Sequence, residues 1–565
     1  MFVASGIGNR IKEKKMKKLN QILLGLIVLS VVATSCDTLL DVDSERIMFP
    51  EDHQIDSPND SIYSMIGIFS HFQKLADPYV LLGELRGDLM DVTENARLEL
   101  REINDLDVSA DNPYNAIEDY YSVVNHCNYL INNIDTAFTS SGEKSLLKEY
   151  AAAKSIRAWT YMQIAMNYGT VKYYSDPLLT VQEAEKDLPE YTINELVPML
   201  IQDLEPIKFV ENPGAISLGA DMNSGKIFIP VRLMLGELYM WNGQYENAAR
   251  EYYALIEEER YVVDDNYNST WLVDNGVFVG RQYIDFIDIF ELTNNEQITL
   301  IAGSKELGEE DEMYNITVED YEVLPSQVAI DNWDAQTYYY NANVTNPGDL
   351  RGELGSYVGS NTGVFINGSM IGGGEDVILK YFLMGEQAED AKAAMLYRVA
   401  TLYLRYAEAV NRAGKPNLAF AVIKNGMNMD AIEVDTIVPP REKYSTYTDS
   451  TGTYLDYVNF SNIAFDANIG IHSRGCGNVE RATDFVIPEY NSLEDSIIWV
   501  EDKIIEELAL ETAFEGNRFQ DLMRVALRRG DPAFLADKVA AKHVGNEEAI
   551  RSKLMDESNW YLPKK

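Results

Sequence analysis

The chain has 565 residues, of which 46% are hydrophobic and 11% aromatic, too apolar a composition for a disordered protein and ample for a large core. Its formal charge of −43 makes nucleic acid and anionic lipid poor partners, because phosphate binding needs clustered cations; neutral and cationic ligands remain open. At this length several domains, or one elongated stack with appended lobes, are expected.

Lys14, Lys15, Lys17 and Lys18 precede an apolar run from Ile22 to Ala33, and Thr34 and Ser35 stand just before Cys36. Charged, apolar and small-residue segments in that order form a secretory signal, and the apolar run is too short to span a bilayer permanently. Met16 would open a signal of ordinary proportions, with residues 1–15 as an upstream extension. Residues 1–35 carry a net +5, so the remainder carries −48. Ala33-Thr34-Ser35-Cys36 resembles a bacterial lipobox, with Ala33 where Leu is more usual. Acylation of Cys36 would hold the protein on a membrane, each buried CH₂ contributing about 0.8 kcal/mol; ordinary signal cleavage leaving a free thiol is the alternative. Cys127 and Cys476 lie in dissimilar segments without CxxC neighbours, so a buried free thiol is expected for each. No later stretch is long and apolar enough to span a membrane.

Past a polar stretch ending near Asp60, Ile62, Met65, Ile66, Phe69 and Phe72 mark a helix over Ser61–Leu75. Leu81–Asn95 follows, its polar end reading as a loop. Tyr114–Asp135 carries Ile117, Tyr121, Val124, Cys127, Leu130, Ile131 and Ile134 on one amphipathic stripe, and a partner helix, Lys144–Tyr168, stops at Gly169. A helix over Thr192–Ile207 leads into Pro230–Ile256. There Leu235, Gly236, Tyr239, Gly243, Tyr245, Ala248 and Tyr252 fall at the offsets of a tetratricopeptide helix-turn-helix unit. Pro230 suits a first helical turn, and Gly243 suits the stop between helices of about 11 and 13 residues. Such a pair cannot bury its apolar face alone, so sister units must stack on it.

From Tyr261 to about Gly385 the helical period disappears in a segment rich in Asn, Asp, Gly, Tyr and Val. It contains one plausible strand, Asn295–Gly303, and the acidic run Gly308–Glu312, and reads as an irregular lobe inserted into the helical stack. Helix returns at Ala388, and Tyr403–Lys424 repeats the helix-turn-helix pattern with Ala407, Val410, Gly414, Ala419 and Ile423. A loop region, Val434–Pro488, contains Tyr444, Tyr447, Tyr454 and Tyr457. Closing helices begin near Ser492 and include Glu506–Pro532, where Glu515, Arg518, Asp521 and Arg524 alternate in sign at three-residue spacing. The expected division is 1–35 signal, 36–260 helical region, 261–387 irregular lobe and 388–565 closing region.

No HExxH, nucleophile elbow, Walker A or EF-hand pattern occurs, and His53, His71, His126, His472 and His543 are scattered without metal-ligand spacing. No enzyme, cofactor or metal reading is therefore adopted, although a catalytic carboxylate pair is defined by spatial separation, which sequence does not give. Sugar rings present apolar C–H faces rimmed by hydroxyls, so a saccharide site wants flat aromatic platforms beside Asp, Asn or Arg. Trp271, Trp333, Tyr338, Tyr339 and Tyr340 stand in the irregular lobe, near Asp274, Asn275, Asp331, Asn332 and Asp334, and are the platform candidates. Their competing role is to anchor the lobe. Trp159, Trp241 and Trp499 fall on helices and are assigned to packing.

In this order the segments resemble the SusD/RagB family, surface glycan-binding lipoproteins of Bacteroidetes. Cys36-Asp37-Thr38-Leu39-Leu40 resembles the family's start, Leu85-Arg86-Gly87-Asp88 its early loop, Tyr114–Asp135 and Ile156–Gly169 its first helical pair, Tyr403–Gly414 its late repeat, Phe514–Arg524 its closing signature, and Trp560–Lys565 its terminus. Leu508 departs from the Arg often found there. The resemblance implies a mostly α fold of tetratricopeptide-like pairs in a superhelix, with a large irregular loop and short-strand lobe. It implies ligand contacts partly in the early loop, making Arg86, Asp88, Asp91 and Asn95 the polar candidates, with a loop-to-helix capping network as their alternative role. It also implies a lipid anchor in the outer membrane facing outward, a SusC-like TonB-dependent transporter as partner, and an oligosaccharide ligand. A cationic peptide, as some relatives suggest, and a purely protein-binding scaffold are the alternatives; nucleic acid is not expected.

Overall fold

The computed structural model describes Ile55–Lys564 apart from 140–145, 216, 220–221, 264–268, 276, 284, 292–293, 305–311, 341–343, 367–368, 383–390, 449–450, 467 and 478–485. The signal, Cys36, His53 and most of the acidic run at Gly308 lie outside the described residues. The helical frame begins with α1 (Pro58–Phe72), capped by Ser57, and α2 (Ala76–Glu84). There follow α3 (Ile117–Asn133), α4 (Leu146–Tyr168), α5 (Ile193–Leu204), α6 (Val231–Trp241) and α7 (Tyr245–Glu259). The later helices are α8 (Val399–Arg412), α9 (Pro416–Asn425), α10 (Leu493–Thr512), α11 (Arg518–Arg529), α12 (Pro532–Ala540) and α13 (Glu547–Leu554). Successive neighbours pack on one another: α3 on α4, α4 on α5, α5 on α6, α6 on α7, α7 on α8, and α8 on both α9 and α10. One hydrophobic cluster runs through them from Ile55 to Leu562. No described helix is long and apolar enough to cross a membrane.

The tetratricopeptide-like unit forms as its residues require. Pro230 caps α6 from just outside, and Gly243, at φ +69, turns the chain into α7, which runs 15 residues rather than the 13 expected. Gly236 is needed at the crossing: a Cβ there would stand 2.3 Å from the Tyr252 ring. Tyr252 is itself fixed by donating its hydroxyl to Glu237 at 2.6 Å. The sister unit, α8 and α9, turns at Gly414, φ +82.

Every sheet among the described residues is a two-stranded antiparallel pair. Four strands of the lobe and its borders matter here: β1 (Met90–Val92), β2 (Gln297–Ser304), β3 (Val323–Pro325) and β4 (Ala391–Arg398). The expected strand at Asn295–Gly303 is thus β2, and it pairs with β4 from Ser304↔Ala391 to Gln297↔Arg398. The lobe also holds a helix, Gln327–Asp334, capped by the Ser326 side chain, where the sequence had suggested irregular chain with short strands. Cys127 and Cys476 are both buried, and among the described residues neither forms a disulfide; the Cys476 thiol donates to the Ser473 carbonyl.

The lobe is fastened to α10 by buried charge. Glu511 Oε1 accepts from Arg398 (2.7 Å) and Arg474 (2.9 Å), and its Oε2 accepts from Arg351 (3.0 Å). Arg398 and Arg474 also share Glu296, Arg351 reaches Asp349 and Glu507, and Glu515 receives Lys380 and Arg398. Burial alone would raise the Glu511 pKa, but Arg398, Arg474 and Arg351 hold it far below the usual carboxylate range. The closing signature therefore works differently from a self-paired helical face. Asp521 and Arg524 do pair at 2.7 Å, but Arg518 reaches across to Asp88 and Glu515 to the lobe, all of them buried.

Candidate functional site

Most of the aromatic platform candidates point inward, which corrects the expectation for them. Trp333 is 1% exposed. Its indole N–H donates to the Leu510 carbonyl at 3.0 Å, its ring stacks on Tyr357 at 5.6 Å, and the Gly352 backbone closes over it so tightly that a Cβ would lie at 2.8 Å. Tyr338 is fully buried and donates to Asp349 Oδ2 at 2.9 Å. Trp271, 6% exposed, packs with Tyr338, Leu350 and Cys476, and the Arg281 guanidinium stands 5.6 Å from its ring centre. Tyr339 and Tyr340 lie on the strand Thr337–Tyr340, their side chains outside the described residues. The physical reason is common to them: a lobe built from two-stranded pairs has no broad sheet or helix face to bury, so its largest rings become its core.

The early loop divides. Asp88 takes both arms of Arg518, Nε at 2.6 Å and Nη2 at 2.8 Å, and these bonds and charge hold its pKa below the usual value against the raising effect of burial. Arg86 is buried as well, held by the carbonyls of Leu82 and Trp560 and the Asn167 side chain. Both serve the joint between α2 and the closing helices. Asp91 and Asn95 instead reach the surface where the early loop meets the lobe.

That junction is made by β1 pairing with β3, Asp91 opposite Leu324. Thr93 extends it, its backbone N–H bonding the Glu322 carbonyl at 2.9 Å and its hydroxyl the Tyr321 carbonyl at 2.6 Å. Tyr321 adopts φ +48, an uncommon left-handed conformation for a bulky residue and one that clusters at functional positions. Arg97 pairs with Glu312 and, at 3.0 Å, with Glu322, and the Tyr114 hydroxyl donates to Glu312 Oε1 at 3.1 Å. Burial and then Glu312 raise the Tyr114 pKa, so its hydroxyl stays a donor. Burial would lower that of Arg97, but Tyr114, Glu312 and Glu322 raise it overall. The exposed Asn95 amide, the Arg97 fork and the Glu312 carboxylate together offer donors and acceptors suited to a polyhydroxyl ligand, whereas the Asp91 carboxylate lies near Lys542 and His543. Arg97, Tyr114 and Glu312 were not singled out from sequence, because only the β1–β3 pairing makes them neighbours.

A stacked aromatic face open to solvent lies elsewhere, on a hairpin of β5 (Tyr444–Thr448) and β6 (Thr451–Tyr454). Tyr444 and Tyr447 stack at 5.3 Å and 7°, Tyr454 lies 4.8 Å from Tyr444, and Tyr447 is 45% exposed. Gly452 allows the Tyr444 ring to lie across the ribbon, since a Cβ there would meet it at 2.4 Å. Alternating Tyr and Thr on both sides of a short polar turn was the available hairpin signal.

No family model and no curated protein matches the chain. Among solved structures, a SusD superfamily protein from Bacteroides thetaiotaomicron is similar at 13% identity and TM-score 0.53, over 89% of this chain and 99% of that one. A putative sugar binding protein from Bacteroides vulgatus is similar at 16% and 0.55, over 84% and 88%. A SusD-like carbohydrate binding protein from the same species is similar at 15% and 0.52, over 84% of each. The chain has the fold of these SusD-like structures.

Proposed function

We propose that the protein is a surface receptor that captures oligosaccharide and passes it to a TonB-dependent transporter, breaking no bond itself. The observation that carries this is the SusD superfamily fold, shared with proteins whose names describe sugar and carbohydrate binding. The junction of early loop and lobe, with Asn95, Arg97 and Glu312, is the ligand surface, and the Tyr444–Tyr447 pair is an accessory stacking face. The helical stack is the rigid platform and the inserted loops carry specificity. Anchoring through Cys36 in the outer membrane completes the reading.

Retention on polysaccharide affinity gels tests it. Arg97→Ala is expected to weaken retention with little change in melting temperature, because Arg97 is 40% exposed. Unchanged retention by Arg97→Ala and Asn95→Ala would remove the junction from the reading, and release of reducing sugar would make the protein an enzyme. A basic peptide is the second reading, favoured by the formal charge of −43; its binding should weaken steeply with salt, whereas that of a neutral saccharide should not.

A further inference from the structure

Arg86 differs from the other deeply buried arginines among the described residues. Arg351, Arg398, Arg474 and Arg518 each meet at least one carboxylate. Arg86, 2% exposed, meets only neutral acceptors: Nε donates to the Leu82 carbonyl at 2.8 Å, Nη1 to the Trp560 carbonyl at 3.0 Å, and Nη2 to Asn167 Oδ1 at 2.7 Å. Its flat face lies 4.2 Å from the Phe519 ring centre. Burial pulls its pKa down to about 10, opposed only by the Tyr168 and Tyr120 hydroxyls. The Tyr120 hydroxyl is buried without a hydrogen-bond partner. A desolvated cation with no counter-ion is the costly half of an ion pair. A guanidinium has five N–H groups, and three are accounted for.

Arg86 lines an open cleft of about 410 Å³ between the Leu106–Val108 turn and the C-terminal segment from Lys553 to Pro563. Its mouth carries Lys553, 31% exposed, whose Nζ lies 3.8 Å from Asp107 Oδ1, with Ser558 and Asn559 beside it. Two cations thus face one carboxylate, in a chain of formal charge −43. In the cleft of about 690 Å³ beside Phe209 the balance is reversed, with Glu211, Glu258 and Glu259 against Lys208 and Arg232.

We infer that the cleft at Arg86 is a subsite for the carboxylate of an acidic saccharide, a uronic acid unit, with Arg86 at its floor and Lys553 at its mouth. The two oxygens of a carboxylate match the planar fork of the guanidinium, and the cleft volume lies in the range of small-ligand sites. The inference rests on the saccharide-receptor reading and adds the charge of the ligand.

Calorimetry with trigalacturonate and its fully methyl-esterified, neutral counterpart tests it on the purified protein. The acid should bind about tenfold more tightly or better, the effect of a charge-assisted contact, and the advantage should shrink when NaCl rises from about 50 to about 500 mM. Lys553→Met should weaken the acid about threefold and leave the ester unchanged. Arg86→Lys, checked for folding by its melting temperature, should lose most of the preference. Equal affinity for acid and ester, or full acid affinity in Lys553→Met, overturns the inference while leaving a neutral-saccharide receptor standing. Failure to bind any saccharide removes the receptor reading and this inference together.

Discussion

Replacing Glu511 by Gln tests whether the buried charge network fastens the lobe. The carboxylate is fully buried and accepts from three guanidiniums, those of Arg398, Arg474 and Arg351. An amide keeps the shape and one acceptor oxygen, but turns an NH₂ group toward arginine donors and removes the charge that all three share, leaving Arg398 and Arg474 to Glu296 and Arg351 to Asp349 and Glu507. Removing one partner from a buried ion pair costs about 3–5 kcal/mol, and the retained oxygen puts the expected loss near 4 kcal/mol. Unfolding entropy is about 2.1 cal/mol/K per residue, or about 1.1 kcal/mol/K for the roughly five hundred residues from Ile55 onward, so the melting temperature should fall by about 4 °C. Because Glu511 titrates far below its ordinary value of 4.5, its contribution is fully present above that pH and disappears only as pH falls through the depressed folded value. Scanning calorimetry of both proteins should therefore show a constant gap at neutral pH that narrows under acid. A fall no larger than that of Glu548→Gln, an exposed control, would refute the claim that this network secures the lobe.

Arg518→Ala removes the two-armed bond to Asp88 and a bond to the Ile505 carbonyl, and should cost about 3 kcal/mol while leaving saccharide specificity intact; loss of binding at full stability contradicts that role. Glu84, buried and accepting the backbone N–H groups of Phe514 and Gly516, has its pKa pushed up to about 7 by burial, which those bonds and Arg518 only partly offset. Its stabilisation is complete below about pH 4.5 and is lost as pH rises through about 7. The unfolding free energy of the wild type, from denaturant titration, should thus drop by about 2–3 kcal/mol between about pH 5 and pH 8 relative to Glu84→Gln, and parallel profiles would exclude it. Gly236→Ala drives a methyl into the Tyr252 ring and should destabilise by about 1–2 kcal/mol after its gain in helix propensity; a rise in melting temperature would mean that the ring has room to swing away.

The frame was legible in sequence because its signals are local. Gly236 and Tyr252 are sixteen positions apart, yet their offsets within one helical hairpin announce the crossing they make, and Ser492 announces α10 by capping it. Segments chosen by resemblance, such as Phe514–Arg524, were correctly located but not correctly paired: Arg518 finds Asp88 across 430 positions. The candidate site was only half readable for the same reason. Trp333 and Tyr338 have the composition of a platform, but whether a ring faces water depends on what covers it, and Gly352 and Asp349 do so through folding of the lobe. Asp91 and Asn95 could be named from the early loop, whereas Arg97 and Glu312 become one surface only through the β1–β3 ladder.

The ladder between β2 and β4 has a consequence for how such a molecule can change. Ser304 and Ala391 stand opposite each other, so the chain between them leaves the frame and returns to it side by side, and Arg351 and Lys380 within that excursion are tied back to Glu511 and Glu515. Once these points are held together, lengthening a loop between them adds only about 0.6 kcal/mol of closure entropy per doubling, and the helices on either side keep their register. Insertions and deletions can accumulate in those loops of the excursion that make none of these contacts, altering what the outer surface recognises, while the frame and its buried fastenings go on folding unchanged.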